Sequence, residues 1–367
     1  MITLNKTPIR TCKNFLINEI EIDEKEIEKT KDKFENIKYI EFDEKIKLTE
    51  NVENAKLTYG NGDYTESQFK DANKKIKIEI EQNTNKSNII DFVFDEKNRI
   101  LVDNIEIIVN QNVKANLNFR YSIYDLDKRN DCLKIKYNEE EKLKKAYHNT
   151  KIKVILKENA KLNITVVNLL GKNTNVLLNM ENELKEKSEL TYNYIDFGGN
   201  KRIINSYTKL EGQESKNRFN SIYLGEKEEL LDYNYIAEAY GKKSDVNIEV
   251  QGAIKDKVKK NFKGTIDFKA GCTNTKGAEN EYCVLLSDTA KAISLPMLLC
   301  TEEDVEGAHS TAAGKIGGQE LFYIMSRGFS KKEAEKLIIR ANFNEIIEGL
   351  QNEQIKEDII HQIEYRL

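Results

Sequence analysis

The sequence predicts a mainly β protein that ends in a small helical module. In several short segments apolar side chains occupy every second position, as they do at Ile76, Ile78 and Ile80. This alternation is typical of strands that are buried on one face. Such segments recur at intervals of about a dozen residues as far as residues 282–286. Near Gly317 the apolar spacing changes to the one that is typical of an amphipathic helix.

Two architectures fit a regular succession of short strands. One is a β-solenoid, in which each coil stacks on the preceding coil, and the other is an antiparallel sandwich. No strict sequence repeat is present, but solenoids tolerate degenerate coils because only the inward positions are constrained. The strand pattern alone leaves both architectures open.

The first 80 residues have a mixed character. The charged stretch Glu21–Glu35 predicts a short helix, and the sequence Gly60–Asp63 predicts a turn. The predicted division of the chain is a mixed N-terminal region at 1–80, a β core at 81–300 and a C-terminal region at 301–367. This last region is predicted to be helical from about residue 318.

Three helices are predicted in the C-terminal region. The first carries an apolar stripe and ends near Gly328, a residue suited to a left-handed C-terminal cap. The second begins at a capping box formed by Ser330 and Glu333. The third runs to Leu367. Their apolar faces consist of Leu321, Phe322, Ile324 and Met325; of Ala334, Leu337, Ile338 and Ala341; and of Ile355, Ile359, Ile360 and Ile363.

Composition narrows the classes of function. The formal net charge is −4, from 58 basic and 62 acidic residues that are mixed along the chain. Proteins that neutralise phosphates need a basic excess, so nucleic acid is not predicted as a partner. No apolar run approaches the ~20 residues that cross a bilayer, and no membrane partner is predicted. Five cysteines without disulfide-like spacing, and no apolar signal core in the first ten residues, predict a cytoplasmic protein.

One segment has the residue types of a phosphate-binding loop but not its spacing. Residues 307–316 contain small residues and a Gly-Lys pair, but six residues separate Gly307 from Gly314, and Ile316 follows Lys315. A phosphate loop needs four intervening residues and a Ser or Thr after the lysine. Nucleotide binding by this chain is therefore not predicted.

Candidate metal ligands are few. The chain has three histidines, and no cysteine pair has the C-x-x-C spacing of structural zinc or ferredoxin-type sites, so no permanently bound cofactor is predicted. His309 follows an acidic stretch and lies among small residues, where a ligand can approach closely. Cys272, Cys283 and Cys300 fall near the end of the β region. A lone histidine or cysteine is more often structural, so spacing alone does not assign these residues a function.

An ordered set of landmarks lies between Phe262 and Phe343. They are Leu285–Asp288, Ala290, Ser294, Pro296, Asp304-Val305, His309, Gly314, Leu321–Tyr323, Ser326–Gly328, Ala334 and Phe343. With these landmarks the stretch resembles the C-terminal part of SufB and SufD, the paired scaffold subunits of the SUF iron–sulfur assembly machinery. The opening residues Pro8–Thr11 and Asn18-Glu19 are similar to the beginning of short family members.

The resemblance implies a right-handed parallel β-helix between terminal helical regions. It implies a non-enzymatic scaffold subunit that pairs with a second β-helix subunit and docks a SufC-like ABC-type ATPase. It also implies a transient iron–sulfur cluster at the interface between the two scaffold subunits. The residues assigned by this resemblance to the ATPase contact are Leu321, Phe322, Tyr323, Arg327, Phe329 and Phe343.

The resemblance also suggests which residues meet the cluster. His309 matches the family's interface histidine, and Glu281 stands where a SufB cysteine is expected, so the chain looks more like SufD. Cys283 is two residues further on, which places it on the same strand face as Glu281 and makes it a possible substitute. His309 and Cys283 are therefore the predicted transient metal ligands.

Two alternatives stay open at this point. The chain is either one half of a heterodimer with a SufB-like subunit or a homodimeric SufB/SufD-like scaffold of a minimal SUF system. A third hypothesis, from another class, is a carbohydrate-active β-helix enzyme. That enzyme needs a pair of carboxylates focused on one exposed face, and the acidic residues of this sequence show no such focus.

Overall fold

A computed structural model describes residues 1–11, 17–30, 32–53, 56–123 and 145–367. Within these residues, most strands belong to two nine-stranded sheets, and from Lys74 onward consecutive strands alternate between the sheets. From Lys74 to Gly314 the neighbouring strands of each sheet run parallel. This arrangement confirms the predicted parallel β-solenoid and excludes the antiparallel sandwich.

The two sheets are here called sheet I and sheet II, and each is given from its C-terminal edge. Sheet I contains β20 (Val305–Gly314), β18 (Thr275–Leu285), β16 (Asp245–Ile254), β14 (Lys216–Gly225), β12 (Glu189–Asp196), β10 (Lys161–Leu169), β8 (Lys114–Ser122), β6 (Ile89–Val93) and β3 (Ile37–Ile40). Sheet II contains β19 (Lys291–Cys300), β17 (Lys259–Phe268), β15 (Leu230–Ala239), β13 (Lys201–Leu210), β11 (Thr174–Leu184), β9 (Ala146–Leu156), β7 (Ile100–Val109), β5 (Lys74–Ile80) and β4 (Ile46–Glu50). The outermost strands β3 and β4 pair antiparallel with β6 and β5.

The period-two pattern builds the core between the sheets. Successive side chains of a strand point to opposite faces, so every second residue enters the lumen of the solenoid. Ile105 of β7 lies in register between Ile76 of β5 and Ile152 of β9, and all three are fully buried. Parallel, in-register stacking therefore turns alternation along each strand into continuous apolar rows along the solenoid.

One turn recurs after each strand of sheet II from β7 to β17. In each turn one residue that is not glycine adopts the left-handed conformation, with φ between 54° and 60°. Its backbone N–H donates to a carbonyl of the next turn, as from Asn159 to Glu186 at 2.9 Å. Hydrogen bonds between stacked turns thus pair backbone N–H and C=O groups that the strand ladders leave unpaired. These residues are Asn112, Asn159, Lys187, Glu214, Lys243 and Asn274.

The N-terminal region covers the outer face of sheet II. β1 (Ile2–Leu4) and β2 (Ile20–Ile22) form an antiparallel pair. Leu4 and Ile20 pack in one apolar cluster with Tyr147 of β9 and Ile203 of β13. The helix α1 (Asp63–Ser67) follows the predicted turn at Gly60–Asp63.

The short helix predicted over Glu21–Glu35 is wrong in this structure. The stretch begins within β2, which buries Ile20 and Ile22 on one face, and its only described helical turn is a 3-10 turn at Glu24–Glu26. Period-two burial of the two isoleucines prevails over the helical propensity of the surrounding charged residues.

Three helices follow the last strand: α2 (Gly318–Ser326), α3 (Lys331–Gly349) and α4 (Glu353–Arg366). The predicted capping box is present, because Ser330 and Glu333 bond to each other's backbone amides. The predicted apolar face of α3 is wrong in part, since Leu337 and Ala341 are exposed. Among the described helices, none is long and apolar enough to span a bilayer.

Helices α3 and α4 cover the outer face of sheet I. Their buried residues form one cluster with outward apolar residues of β10, β12, β14, β16 and β18. The two outer faces of the solenoid are therefore covered by the two terminal regions, whereas its C-terminal end remains open. Residues of α3 and α4 in this cluster are Ile339, Phe343, Ile346, Ile347, Ile355, Ile359 and Ile363.

Candidate functional site at the open end of the solenoid

The last coil leaves its inward side exposed. β19 and β20 are the edge strands of sheets II and I, so no described strand stacks on them. Residues of β20 that share the inward face with Val305 are therefore accessible, although their counterparts one coil earlier are buried. A Cβ atom at Gly307 would contact Phe268 and Leu298, which confirms that the odd-numbered residues of β20 face inward.

His309 lies on this inward and exposed face. Its register partner in β18 is Glu279, and Glu281 is paired in the same way with Thr311. Adjacent strands are about 4.8 Å apart. The imidazole therefore stands one strand spacing beyond the Glu279 side chain, at the mouth of the lumen.

Glu279 carries a carboxyl group without a hydrogen-bond partner. Its side chain is fully buried, and neither oxygen is within hydrogen-bond distance of a donor among the described residues. The carboxyl lies against Gly264 of β17, where a Cβ atom would be 2.0 Å from Oε1. Burial and, secondarily, the neighbouring Glu281 raise the pKa of Glu279 to about 8.

Glu281 is also buried, but it is fully engaged. It accepts hydrogen bonds from Lys260 Nζ at 2.6 Å, from the Ser294 hydroxyl at 2.8 Å and from the Tyr223 hydroxyl at 2.9 Å. Lys260 and Glu281 form an ion pair that is inaccessible to solvent. The position where the resemblance expects a SufB cysteine is thus occupied by a paired carboxylate.

Cys283 lies on the same inward face of β18 as Glu281, as predicted. Its side chain is fully buried. Burial raises the pKa of its thiol above the ordinary value, and Lys260 and the Tyr223 hydroxyl offset only part of the rise. A thiol of this kind is a weaker nucleophile and metal ligand than an exposed thiolate.

The structure does not bring Cys283 and His309 together. Cys283 is in register with Ala313, four residues along the strand from the pair formed by Glu279 and His309. Four residues of a strand span about 13 Å, whereas two ligands of one metal ion lie within a few ångströms of each other. Among the described residues, no group of three His, Cys, Asp or Glu side chains is arranged to hold a metal ion.

The remaining cysteines differ in environment. Cys272 is buried, and burial raises the pKa of its thiol. Cys300 is exposed at the end of β19, where its thiol donates to the Glu302 carbonyl. Cys12 and Cys132 lie outside the described residues.

Five of the six predicted partner-binding residues lie on or just after α2, and this helix buries none of its residues. Phe322 is 73% exposed, Tyr323 59% and Phe329 44%, which is unusual for such large apolar side chains. Arg327 lies over the Tyr323 ring and donates to its hydroxyl at 3.1 Å. Leu321 is only partly exposed.

Phe343 differs from the other five. It is buried in α3 and stacks on Phe197, the residue that follows β12, with ring centroids 6.3 Å apart. Its observed contact is therefore with sheet I, whereas the other five predicted residues are at least partly exposed.

Residues 92–342 match the family described as "SUF system FeS cluster assembly, SufBD core domain". The chain is similar to the iron–sulfur cluster assembly protein SufD of Bacillus subtilis, with 27% identity over 165 residues, which are 45% of this chain and 38% of that protein. It is similar to SufD of Escherichia coli, with 28% identity over 163 residues, 44% of this chain and 38% of that protein. A SufBD family protein of Pyrococcus horikoshii is 26% identical over 202 residues, 55% of this chain and 45% of that protein. The aligned regions span less than half the length of these relatives.

Proposed function

This chain belongs to the SufBD family of the SUF iron–sulfur cluster assembly system, and from that premise we propose that it is a non-enzymatic, cytoplasmic scaffold subunit. It pairs with a SufB-like subunit, or in a minimal system with a second copy of itself, and docks a SufC-like ABC-type ATPase. Iron and sulfur are its cargo, and the two combine transiently near His309. The observation that carries the proposal is the family match over residues 92–342, which includes the open end of the solenoid and α2.

The open end supports pairing with a second solenoid. β19 and β20 each have an edge without a neighbouring strand in the described chain. Apolar residues of the last coil, including Ala292 and Leu298, are only partly buried. Exposed edges and apolar surface of this kind favour association. A second subunit placed here covers the lumen and brings its own side chains close to His309.

The ATPase is expected to bind at α2, and the first prediction concerns Phe322. Phe322→Ala should weaken binding of the ATPase by about 30-fold or more, because large exposed aromatic residues supply much of the binding energy of an interface. The melting temperature should stay nearly unchanged, since Phe322 packs against little of the chain. Affinity is measured by surface plasmon resonance with the ATPase that copurifies from the native cell.

Tyr240→Ala is the matched control for this measurement. Tyr240 is 39% exposed and directly follows β15, distant in sequence from α2. The control should leave ATPase binding unchanged. Equal effects of Phe322→Ala and Tyr240→Ala, or full binding after removal of residues 318–367, would contradict docking at α2.

His309→Ala is the second prediction. The variant should melt like the wild type, because surface substitutions usually change stability by less than about 0.5 kcal/mol. Cluster formation by the reconstituted complex, followed by visible absorbance, should slow by about tenfold or more because an imidazole ligand is lost. Ser310→Ala, on the next and oppositely directed residue of β20, is the control. Normal cluster formation combined with a clearly lower melting temperature would make His309 a structural residue.

The proposal as a whole is tested by isolating the chain with its partners from the native cell. Recovery of an ABC-type ATPase supports it, and the identity of the second solenoid chain separates the heterodimer from the homodimer. The chain alone should show no ATP turnover, since its Gly-Lys pair lacks phosphate-loop spacing. Turnover by homogeneous protein in proportion to its concentration would refute the non-enzymatic assignment.

A further inference from the structure

A cavity lies between the N-terminal region and the outer face of sheet II. Its volume is about 630 Å³, a size that is common for small-molecule sites. The helix α1 and the 3-10 turn Gln68–Asp71 that follows it form one side. Lys75, Asn104 and Lys151 form the other side, because they are register partners on the neighbouring strands β5, β7 and β9. The scaffold function proposed above makes no use of this cavity.

Lys151 is a buried amine at the edge of the cavity. Only 3% of its side chain is exposed, although the residue lines the cavity. Its Nζ atom is 3.3 Å from Glu66 Oε1 and 5.0 Å from the centroid of the Phe69 ring. Glu66 and Phe69 both belong to the covering side. The amine is therefore held between the sheet and its cover, away from bulk water.

This environment makes Lys151 easier to deprotonate than an ordinary lysine. Burial lowers the pKa of its ammonium group, and the ion pair with Glu66 offsets only part of the effect. A lysine must be neutral to act as a nucleophile, and removal from water is one way in which proteins achieve this. A perturbed lysine that lines a cavity is accordingly a candidate reactive group.

Lys153 provides the contrast on the same strand. It lies two residues further along β9 and therefore on the same face. Burial acts on its pKa in the same direction, but hydrogen bonds to Glu183 and Glu181 outweigh burial and raise the pKa. Both carboxylates are within 3.0 Å of its Nζ atom. Of these two lysines, only Lys151 combines a lining position with a weakened hold on its proton.

The other charges of the cavity favour an anionic ligand. Besides Lys151 and Glu66, the lining contains three lysines and two acids, namely Lys56, Lys70, Lys75, Glu53 and Asp63. A positive excess attracts anions. Lys75 and Lys151 are two strands apart, so about 10 Å separates their backbones. Their long side chains can thus hold the two ends of one small molecule.

We infer that this cavity binds a small aldehyde that carries an anionic group, and that Lys151 forms an imine with its carbonyl carbon. The anionic group pairs with the lysines of the lining, Lys75 first among them. This activity is additional to the scaffold function and does not depend on it.

The reaction is a condensation that needs no oxidant or reductant. The neutral amine of Lys151 adds to the carbonyl carbon and forms the C–N bond. Glu66 is placed to carry both amine protons to the carbonyl oxygen, which leaves as water when the C–O bond breaks. A proton from solvent then converts the imine into an iminium ion. This cation faces Glu66 and the Phe69 ring, as the ammonium group does before the reaction.

The test is site-resolved trapping on the purified full chain. Pyridoxal 5′-phosphate is the anionic aldehyde, borohydride reduces the imine to a stable amine, and peptide mass spectrometry gives the labelled fraction of each lysine. Lys151 should be labelled about tenfold or more faster than Lys153, the internal control. Pyridoxal, which lacks the phosphate, should lose most of this preference once each rate is divided by the rate with free lysine.

Lys151→Arg is the matched variant, because arginine keeps a positive charge beside Glu66 but forms no imine under these conditions. It should abolish the fast labelling and the absorbance of the imine, whereas Lys153→Arg should leave both unchanged. Melting curves show whether each variant is folded.

Two results would overturn the inference, and both come from the wild-type chain, so neither depends on the folding of a variant. One is labelling of Lys151 that is no faster than that of Lys153. The other is an equal preference for Lys151 with pyridoxal. Either result leaves the scaffold function untouched, because capture of the ATPase is assigned to α2 and not to this cavity.

Discussion

Replacing Lys260 with alanine is expected to lower the free energy of unfolding by about 3–5 kcal/mol, the usual consequence of removing one partner from a buried ion pair. Lys260 and Glu281 are both inaccessible to solvent, and their charged atoms are 2.6 Å apart. The variant retains the hydrogen bonds from Ser294 and Tyr223 to Glu281. These neutral donors do not neutralise the carboxylate, so the loss is large. Thermal melting and urea unfolding measure it.

Lys276→Ala provides the control for this result. Lys276 forms an ion pair of similar length with Glu306, at 2.9 Å, but both side chains are more than 60% exposed. Exposed pairs contribute about 0–1 kcal/mol, so the melting temperature should hardly change. Equal losses in the two variants would contradict the buried pair.

A double replacement separates the charge effect from simple loss of packing. Lys260→Met combined with Glu281→Leu removes both charges and keeps the volume, so it should be much more stable than Lys260→Ala. If the double variant is as unstable as the single one, loss of the contacts between Lys260 Nζ and the rings of Tyr223 and Phe262 accounts for the effect instead.

Sequence patterns correctly predicted the elements that depend on interactions between residues close together in the chain. Alternation of apolar residues depends only on which face of a strand is buried, and it identified the strands of the solenoid. The capping box depends on Ser330 and Glu333, which are only three residues apart, and it was confirmed. The predicted helix over Glu21–Glu35 failed because burial of Ile20 and Ile22 in β2 depends on contacts with distant strands.

Buried charges were missed because a charged residue in a strand is normally interpreted as its solvated face. Lys260 and Phe262 have the same parity in β17, and Glu281 and Cys283 have the same parity in β18. This shared parity was the available signal. It indicates that both charged residues point into the lumen, where each needs the other.

The pairing of Glu279 with His309 needed one further quantity, the length of a coil. In-register neighbours in this part of sheet I are 30 residues apart, as Lys276 and Glu306 are. This spacing varies between coils, because turns differ in length, so it cannot be obtained from strand pattern alone. Once the register is known, Glu279 of β18 is seen to be the register partner of His309 on β20.

The second large effect is a dependence of stability on pH that Glu279→Gln should remove. Burial raises the pKa of this carboxyl from 4.5 to about 8 in the folded chain. The folded state therefore holds a proton that the unfolded state releases between these values, and stability falls as pH rises from about 4.5 to 8. One unit of pKa corresponds to about 1.4 kcal/mol, so the loss is on the order of a few kcal/mol.

Glu279→Gln keeps the shape of the protonated acid but cannot ionise. At pH 5 the variant and the wild type should melt at similar temperatures, because Glu279 is neutral in the folded chain. At pH 8.5 the variant should melt at the higher temperature, because the wild type carries a buried charge that has no hydrogen-bond partner among the described residues. Metal-free protein in the presence of a chelator is required, since a bound cation would stabilise the ionised form.

Glu306→Gln should match the wild type at both pH values, because its side chain is exposed. A difference between Glu279→Gln and the wild type that is the same at pH 5 and pH 8.5 would show that Glu279 ionises normally, and that the lumen supplies it with a partner.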